Sequence, residues 1–386
     1  MFQKSIAAVL FALAAAVVVA VTDVDVTRIG RARTTVAIDV ANPDFAKSLR
    51  KNLELSGLFE VRRDGAVKVT GTAGAAVTAA GAGRSVTTTE PVSDALSARM
   101  AARRFADRMC EQWSQGRQKG FATDRIVFVS RKSATQSEIC ACYPDGYDIV
   151  QLTHDGAAVV GPRWKDRDTI FYTNLKNGPQ VWELDSKTGR RNLRWSFKGL
   201  TTGATVSPDG RKVAAIMSFQ GNPELYVIDI AAGSWTRLTK TKNASEGQPA
   251  WSPDGKSIVY VSDETRHPQL YIIDVATKAR RRLTTKGSQN VDPDWGRDGR
   301  ITYITKRGGG AQVAVIEPAE GEASVQLVTD PGNWEHPSWS RDCRNVVASR
   351  DNALFVVDTA TVDGAANPPR QVFKADGKWI TPSWSK

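Results

Sequence analysis

The sequence predicts a mainly β fold, a six-bladed β-propeller preceded by a small α/β domain, and three observations carry that prediction. A unit recurs six times with its anchor residues 42 to 45 positions apart. Each complete unit holds four short extended runs, the content of one propeller blade. The last copy stops after its first run, and three unmatched runs stand ahead of the first copy.

In chain order, the first feature is one apolar run from Ile6 to Val21, with Lys4 before it and small residues toward its end. That is the layout of a secretory signal peptide over residues 1–20, with a retained membrane anchor as the alternative. Because the run stands alone, a polytopic membrane protein is excluded. With no cysteine near the cleavage point, a lipid anchor has no support either. A soluble periplasmic location without stable membrane insertion is expected.

Next comes a polar arm, Asp23, Val24, Asp25, Val26, Thr27, Arg28, Ile29 and Gly30, with no evident core role. Such arms are either leaders or peptides that a partner takes up. Residues 21–120 then read as an α/β domain. Thr34 to Val40 alternates as a strand. Asn42-Pro43-Asp44 opens a helix with a cap, a first-turn proline and an early acid; Phe45, Leu49 and Leu53 mark its apolar face and Gly57 ends it. Residues 59–63, 66–73 and 84–89 are expected as strands. Ser93 is expected to cap a second helix with Leu96, Met100, Phe105, Met109 and Trp113 as its buried stripe.

From residue 121 to 386 the repeat takes over. Its anchors are Trp164, Val206, Trp251, Trp295, Trp339 and Trp384. Ser-Pro-Asp-Gly at 207–210 and 252–255 suits a tight turn: proline fixes φ, aspartate bonds back to nearby backbone, and glycine accepts a left-handed conformation. The recurrent Asp209, Asp254, Asp298 and Asp342 are therefore read as turn chemistry rather than as ligands or acids. Runs 125–130, 137–143 and 148–153 supply the strands missing from the last copy, so the two chain regions would share one sheet and remove its open edges.

Charge and cysteine usage narrow the function. The net charge of +11 is spread along the chain rather than gathered in a stripe, which demotes nucleic acid as a partner. Arg99, Arg103, Arg104 and Arg108 cluster at helical spacing and are expected to form a solvated face. Cys140 and Cys142 sit two apart in a strand, Cys110 in a helix and Cys343 in a turn; no disulfide is predicted from this. No C-x-x-C exists and His154, His267 and His336 are scattered, so no metal site and no cofactor is expected. There is no G-x-S-x-G elbow, H-E-x-x-H or Walker loop, and the Gly-rich stretch 71–83 lacks a phosphate-cradling setting. The loops entering each inner strand offer Arg163, Thr201, Glu246, Asn290, Asp292, Glu335 and His336, a mixed polar set suited to binding more than to catalysis.

The W-S-P-D-G units, the run GSQNVDPDWGRDG (287–299), the closing WITPSWSK (379–386), the exported start and the α/β domain ahead of the ring resemble the TolB family of periplasmic Tol-Pal components. The resemblance implies a monomeric, non-enzymatic scaffold supporting envelope integrity and constriction at division. It implies a Pal-like peptidoglycan-associated lipoprotein held at the propeller mouth, around Thr201, Glu246, Thr285, Gln289, Asn290 and His336. It also implies a TolA-like inner-membrane protein reached through Asp23 to Gly30. Three features depart from the family: a short amino-terminal domain with arginines at 28, 31 and 33, Val206 for the usual Trp, and Cys343 for the turn glycine. A propeller enzyme such as a polysaccharide lyase or lactonase, or a generic periplasmic propeller that binds some other ligand, is the alternative. A peptidase's regulatory propeller is set aside because the chain ends on a blade strand.

Overall fold

The computed structural model describes residues 33–196, 201–218, 221–362, 365–373 and 377–385. The leader and the Asp23–Gly30 arm lie outside the described residues.

The amino-terminal unit is a five-stranded sheet with two helices. Its strands are β1 (Thr34–Val40), β2 (Phe59–Val61), β3 (Val67–Thr72), β4 (Ala76–Gly81) and β5 (Arg84–Thr88), in the order β2-β1-β3-β4-β5. Helices α1 (Pro43–Leu55) and α2 (Ala95–Trp113) share one core with the sheet, built on Phe45, Leu49, Val67, Val77, Phe105 and Met109. As the sequence indicates, Asn42 caps α1, accepting from the Phe45 N–H at 3.0 Å, and Gly57 leaves it with φ 74°.

Three expectations are corrected here. The cap of α2 is Asp94, not Ser93: Ser97 N–H donates to Asp94 Oδ1 at 2.7 Å while Ser97 Oγ accepts from the Asp94 N–H at 3.0 Å, a reciprocal capping box. Leu96 is 50% exposed, because the helix turns its alanine face, Ala98, Ala101, Ala102 and Ala106, toward the core. Strand β4 lies in the Gly/Ala-rich stretch, whose small residues carry little strand propensity; pairing on both sides decides it, with Val77 and Ala79 buried.

The rest is a ring of six four-stranded antiparallel blades. Their inner strands are Val159–Trp164, Thr201–Val206, Glu246–Trp251, Gln289–Trp295, Trp334–Trp339 and Lys378–Trp384, in blades I to VI. Blade VI closes the ring as the sequence indicates: Lys378–Trp384 pairs with Ile126–Arg131, placing Trp384 opposite Ile126 and Ser383 opposite Val127, and Ser137–Cys142 and Val150–Gln151 follow outward. The turn aspartates behave alike. Ser207 and Ser252 donate to Asp209 and Asp254, each at 2.6 Å, and these carboxylates also accept backbone N–H groups two residues on. Cys343 takes the left-handed turn position at φ 53°, where glycine stands in the neighbouring units.

The arginine face of α2 is not simply solvated. Arg103 is fully buried, donating through Nε and Nη2 to Asp145 at 2.9 Å each, and its guanidinium lies 3.8 Å from the Tyr143 ring centroid. Arg99 bridges Asp148 of the ring and Asp44 of α1. Arg104 and Arg108 alone remain on the exposed side, near Glu90. Periodicity put all four on one helix; it could not show that blade VI presents a carboxylate loop to half of that face. All four cysteines are buried and unpaired.

Candidate functional site at the two mouths of the ring

Each inner strand slips register midway, where one residue adopts a left-handed backbone. These residues are Gly161, Gly203, Gln248, Asp292, His336 and Thr381, one per blade. In five of the six the next residue is proline, which has no N–H to lose where the ladder is broken. Glycine takes the position freely, and Thr381 takes it with no hydrogen-bond partner for its buried hydroxyl among the described residues, while Gln248, Asp292 and His336 are held there as neighbours of one another.

Those neighbours join three blades. Asp292, 6% exposed, accepts from Gln248 Nε2 of blade III and from the His336 N–H of blade V at 3.0 Å, while its own N–H donates to Gln248 Oε1 at 2.9 Å. His336 Nδ1 lies 3.0 Å from the same carboxylate. Burial would raise the Asp292 pKa, but His336, by charge and hydrogen bonds, together with the Arg163 charge, holds it below the ordinary carboxylate value.

This bulge ring divides the channel. Before it, where the inner strands begin, Gln248, Gln289, Asp292, Lys306, Glu335 and His336 line a cavity of about 460 Å³ between blades III, IV and V, with Asn333 and Trp334. Beyond it lies a second cavity with no lining residue in common.

The sequence-derived mouth residues therefore separate. Gln289, Asp292, Glu335 and His336 come together. Arg163 lies in the second cavity, because it follows its blade's bulge residue, and it donates to the Pro382 carbonyl at 3.3 Å. Thr285 is exposed but does not line the first cavity; its N–H donates to Glu322 at 2.8 Å. Thr201 opens the inner strand of blade II. Glu246 and Asn290 are buried parts of the fold: Asn290 donates to Gln269 and to the Lys286 carbonyl, both at 2.8 Å, and Glu246 accepts from Ser262 and Thr241. Gln248, Lys306, Asn333 and Trp334 were missed. For Gln248 a signal existed, since it precedes proline at the same repeat position as Asp292 and His336. Among the described residues, no group of three or more His, Cys, Asp or Glu side chains converges as a metal site would require.

Burial, with the Glu224 carboxylate adding to it, pushes the Glu246 carboxyl up to about 7. The folded state thus keeps a proton that the unfolded chain releases. Stability attributable to this group is full below the ordinary glutamate value and is lost as the pH rises toward 7. Glu246→Gln should match the parent near pH 4.5 and exceed it at pH 8 by ~2 to 3 kcal/mol. Urea unfolding at both pH values checks this, and equal parent-to-variant differences would refute it.

The family model for the TolB beta propeller domain matches residues 115–386. The Tol-Pal system protein TolB of Desulfosudis oleivorans is 30% identical over 140 residues, 36% of this chain and 31% of that protein. TolB of Rickettsia rickettsii is 33% identical over 129 residues, 32% of this chain and 28% of that protein. The matched segments thus span under a third of the length of these curated relatives. The crystal structure of TolB from Acinetobacter baumannii superposes with a TM-score of 0.79 at 22% identity, covering 92% of this chain and 97% of that one. The putative TolB from Agrobacterium tumefaciens gives 0.52 at 19% identity, covering 67% and 91%. At these identities the structural likeness is one of fold. With the repeat, the ring closure and the matched family model in agreement, the chain belongs to the TolB beta propeller domain family.

Proposed function

We infer that this protein is a non-enzymatic periplasmic scaffold of a Tol-Pal system. It binds a Pal-like lipoprotein over the cavity where the inner strands of blades III to V begin. Through Asp23 to Gly30 it reaches a TolA-like inner-membrane protein, supporting outer-membrane integrity and constriction at division. The observation that carries the reading is the cavity itself. Gln289, Lys306, Glu335 and His336 surround a floor made rigid by the Gln248–Asp292–His336 bonds, so a partner would meet polar groups that are already ordered. The relatives' names, Tol-Pal system protein, support the choice of system.

The test uses the chain from residue 21 onward and the purified soluble part of a Pal-like lipoprotein, with calorimetry as readout. Glu335→Arg and Gln289→Arg lie at the cavity and should weaken binding at least tenfold with the melting temperature unchanged, the scale of a central contact. Glu246→Arg and Asn290→Arg are unsuitable, because both sites are buried and the variants would lose the fold. Deleting 23–30 should leave Pal binding intact and abolish capture of a TolA-like carboxy-terminal domain. No binding by the parent chain would sink the reading.

A further inference from the structure

The cavity beyond the bulge ring is lined from five of the six blades, so it is the axial opening on the side of the Ser-Pro-Asp-Gly turns. Its volume is about 490 Å³, within the range of small-molecule sites. Trp164, Trp251 and Trp295 present indole surface, joined by Pro208, Pro249, Pro253 and Pro293. Arg163, Lys165 and Arg297 bring three cations, against Asp294 as the one acid in the lining.

Arg163 acts by charge on Asp292 and Arg297 on Asp124, two carboxylates outside the cavity lining. Asp294 is turned to the next blade, accepting the Trp339 N–H at 2.7 Å and Ser338 Oγ at 3.3 Å. Lys165 is paired with Glu183 at 2.7 Å. Arg163 reaches only a backbone carbonyl, and neither Arg163 nor Arg297 has an ion-pair partner among the described residues. The half-buried Arg163 guanidinium, partly withdrawn from water, gains most from a carboxylate or similar flat anion, which it can bind with two parallel hydrogen bonds, and the exposed Arg297 adds its charge from the rim. The indole and proline surfaces favour a flat apolar body beside it.

We propose that this axial cavity is a binding site for a small organic anion with a flat apolar body, its charge held by Arg163 and Arg297 and its body lying against Trp164, Trp251 and Trp295. The site is separate from the partner-binding mouth assigned above. The experiment measures naphthalene-2-carboxylate and its neutral counterpart 2-naphthamide on the purified chain, by calorimetry and by quenching of tryptophan fluorescence. The carboxylate should bind saturably with one site per chain. Arg163→Ala and Arg297→Ala should each weaken it at least fivefold and together abolish it, with unchanged melting temperature. The amide should bind at least tenfold more weakly, and Glu335→Arg, at the other mouth, should leave carboxylate binding untouched. Equal binding of acid and amide, indifference to both arginine variants, or no saturable binding of the acid would each overturn the proposal.

Discussion

Removing Trp384 to Lys386 should destabilise the whole ring by roughly 6 to 8 kcal/mol. The indole of Trp384 is fully buried and meets the Phe121 ring edge-on at 5.0 Å between centroids. Losing a buried tryptophan costs about 3 to 5 kcal/mol. Its backbone N–H donates to Ser338 Oγ of blade V at 3.1 Å, and Ser385 exchanges two bonds of 2.8 Å with Arg125. Each lost bond adds about 1 kcal/mol. Beyond these contacts, the deletion frees the end of the ladder that joins the two chain regions, and an unclosed ring exposes strand edges. The melting temperature should fall by roughly 10 °C. Trp384→Ala alone should give about half of that. A calorimetric scan in which the truncated chain melts like the parent would show that the ring does not depend on this closure.

Arg103→Met should cost about 3 to 5 kcal/mol, the scale for breaking a buried ion pair on one side. The methionine would fill part of the volume but leave Asp145, itself fully buried, facing Asp148 with one cation removed. Asp145 would keep Ser48 Oγ at 2.6 Å and Asn52 Nδ2 at 3.1 Å, neutral donors that cannot replace a guanidinium. Arg104→Met, one residue on and half-exposed beside Glu90, should change stability by less than about 1 kcal/mol. Because Arg103 and Asp145 join α2 to blade VI, the Arg103 variant should also become cleavable by protease in the connecting segment around residues 114–124. Equal behaviour of the two variants would refute the assignment of Arg103 as the anchor between the two parts.

How far the sequence could be read depended on whether a feature was local. The repeat, the turn aspartates and the split last blade are local patterns copied along the chain, and each copy checked the others. Helix α1 was legible for the same reason: cap, proline and apolar spacing all fall within one segment. Helix α2 was only half legible. Ser93 and Asp94 are both good caps, and the choice between them rests on which one Ser97 can face. The β4 strand was hidden because alanine, glycine and threonine have no strong preference until two neighbours pair with them.

The candidate site was less legible, since it is made where blades meet. Glu246 and Asn290 look like exposed polar loop residues in the chain but are sealed by side chains 16 to 21 positions away. Asp292 and His336 were noted as single polar groups, yet their use comes from their meeting across two blades at 3.0 Å.

By itself, the sequence determined the number of blades, the turn chemistry of each and the joining of the chain's last strand to an early one, because these depend on periodicity and on the backbone preferences of proline, glycine and aspartate. Only the tertiary structure decided which arginines are buried and which polar residues share a cavity. It also placed Arg163 on the opposite side of the bulge ring from His336. Those outcomes turn on distances between side chains that lie dozens to hundreds of positions apart, and no local pattern encodes such distances.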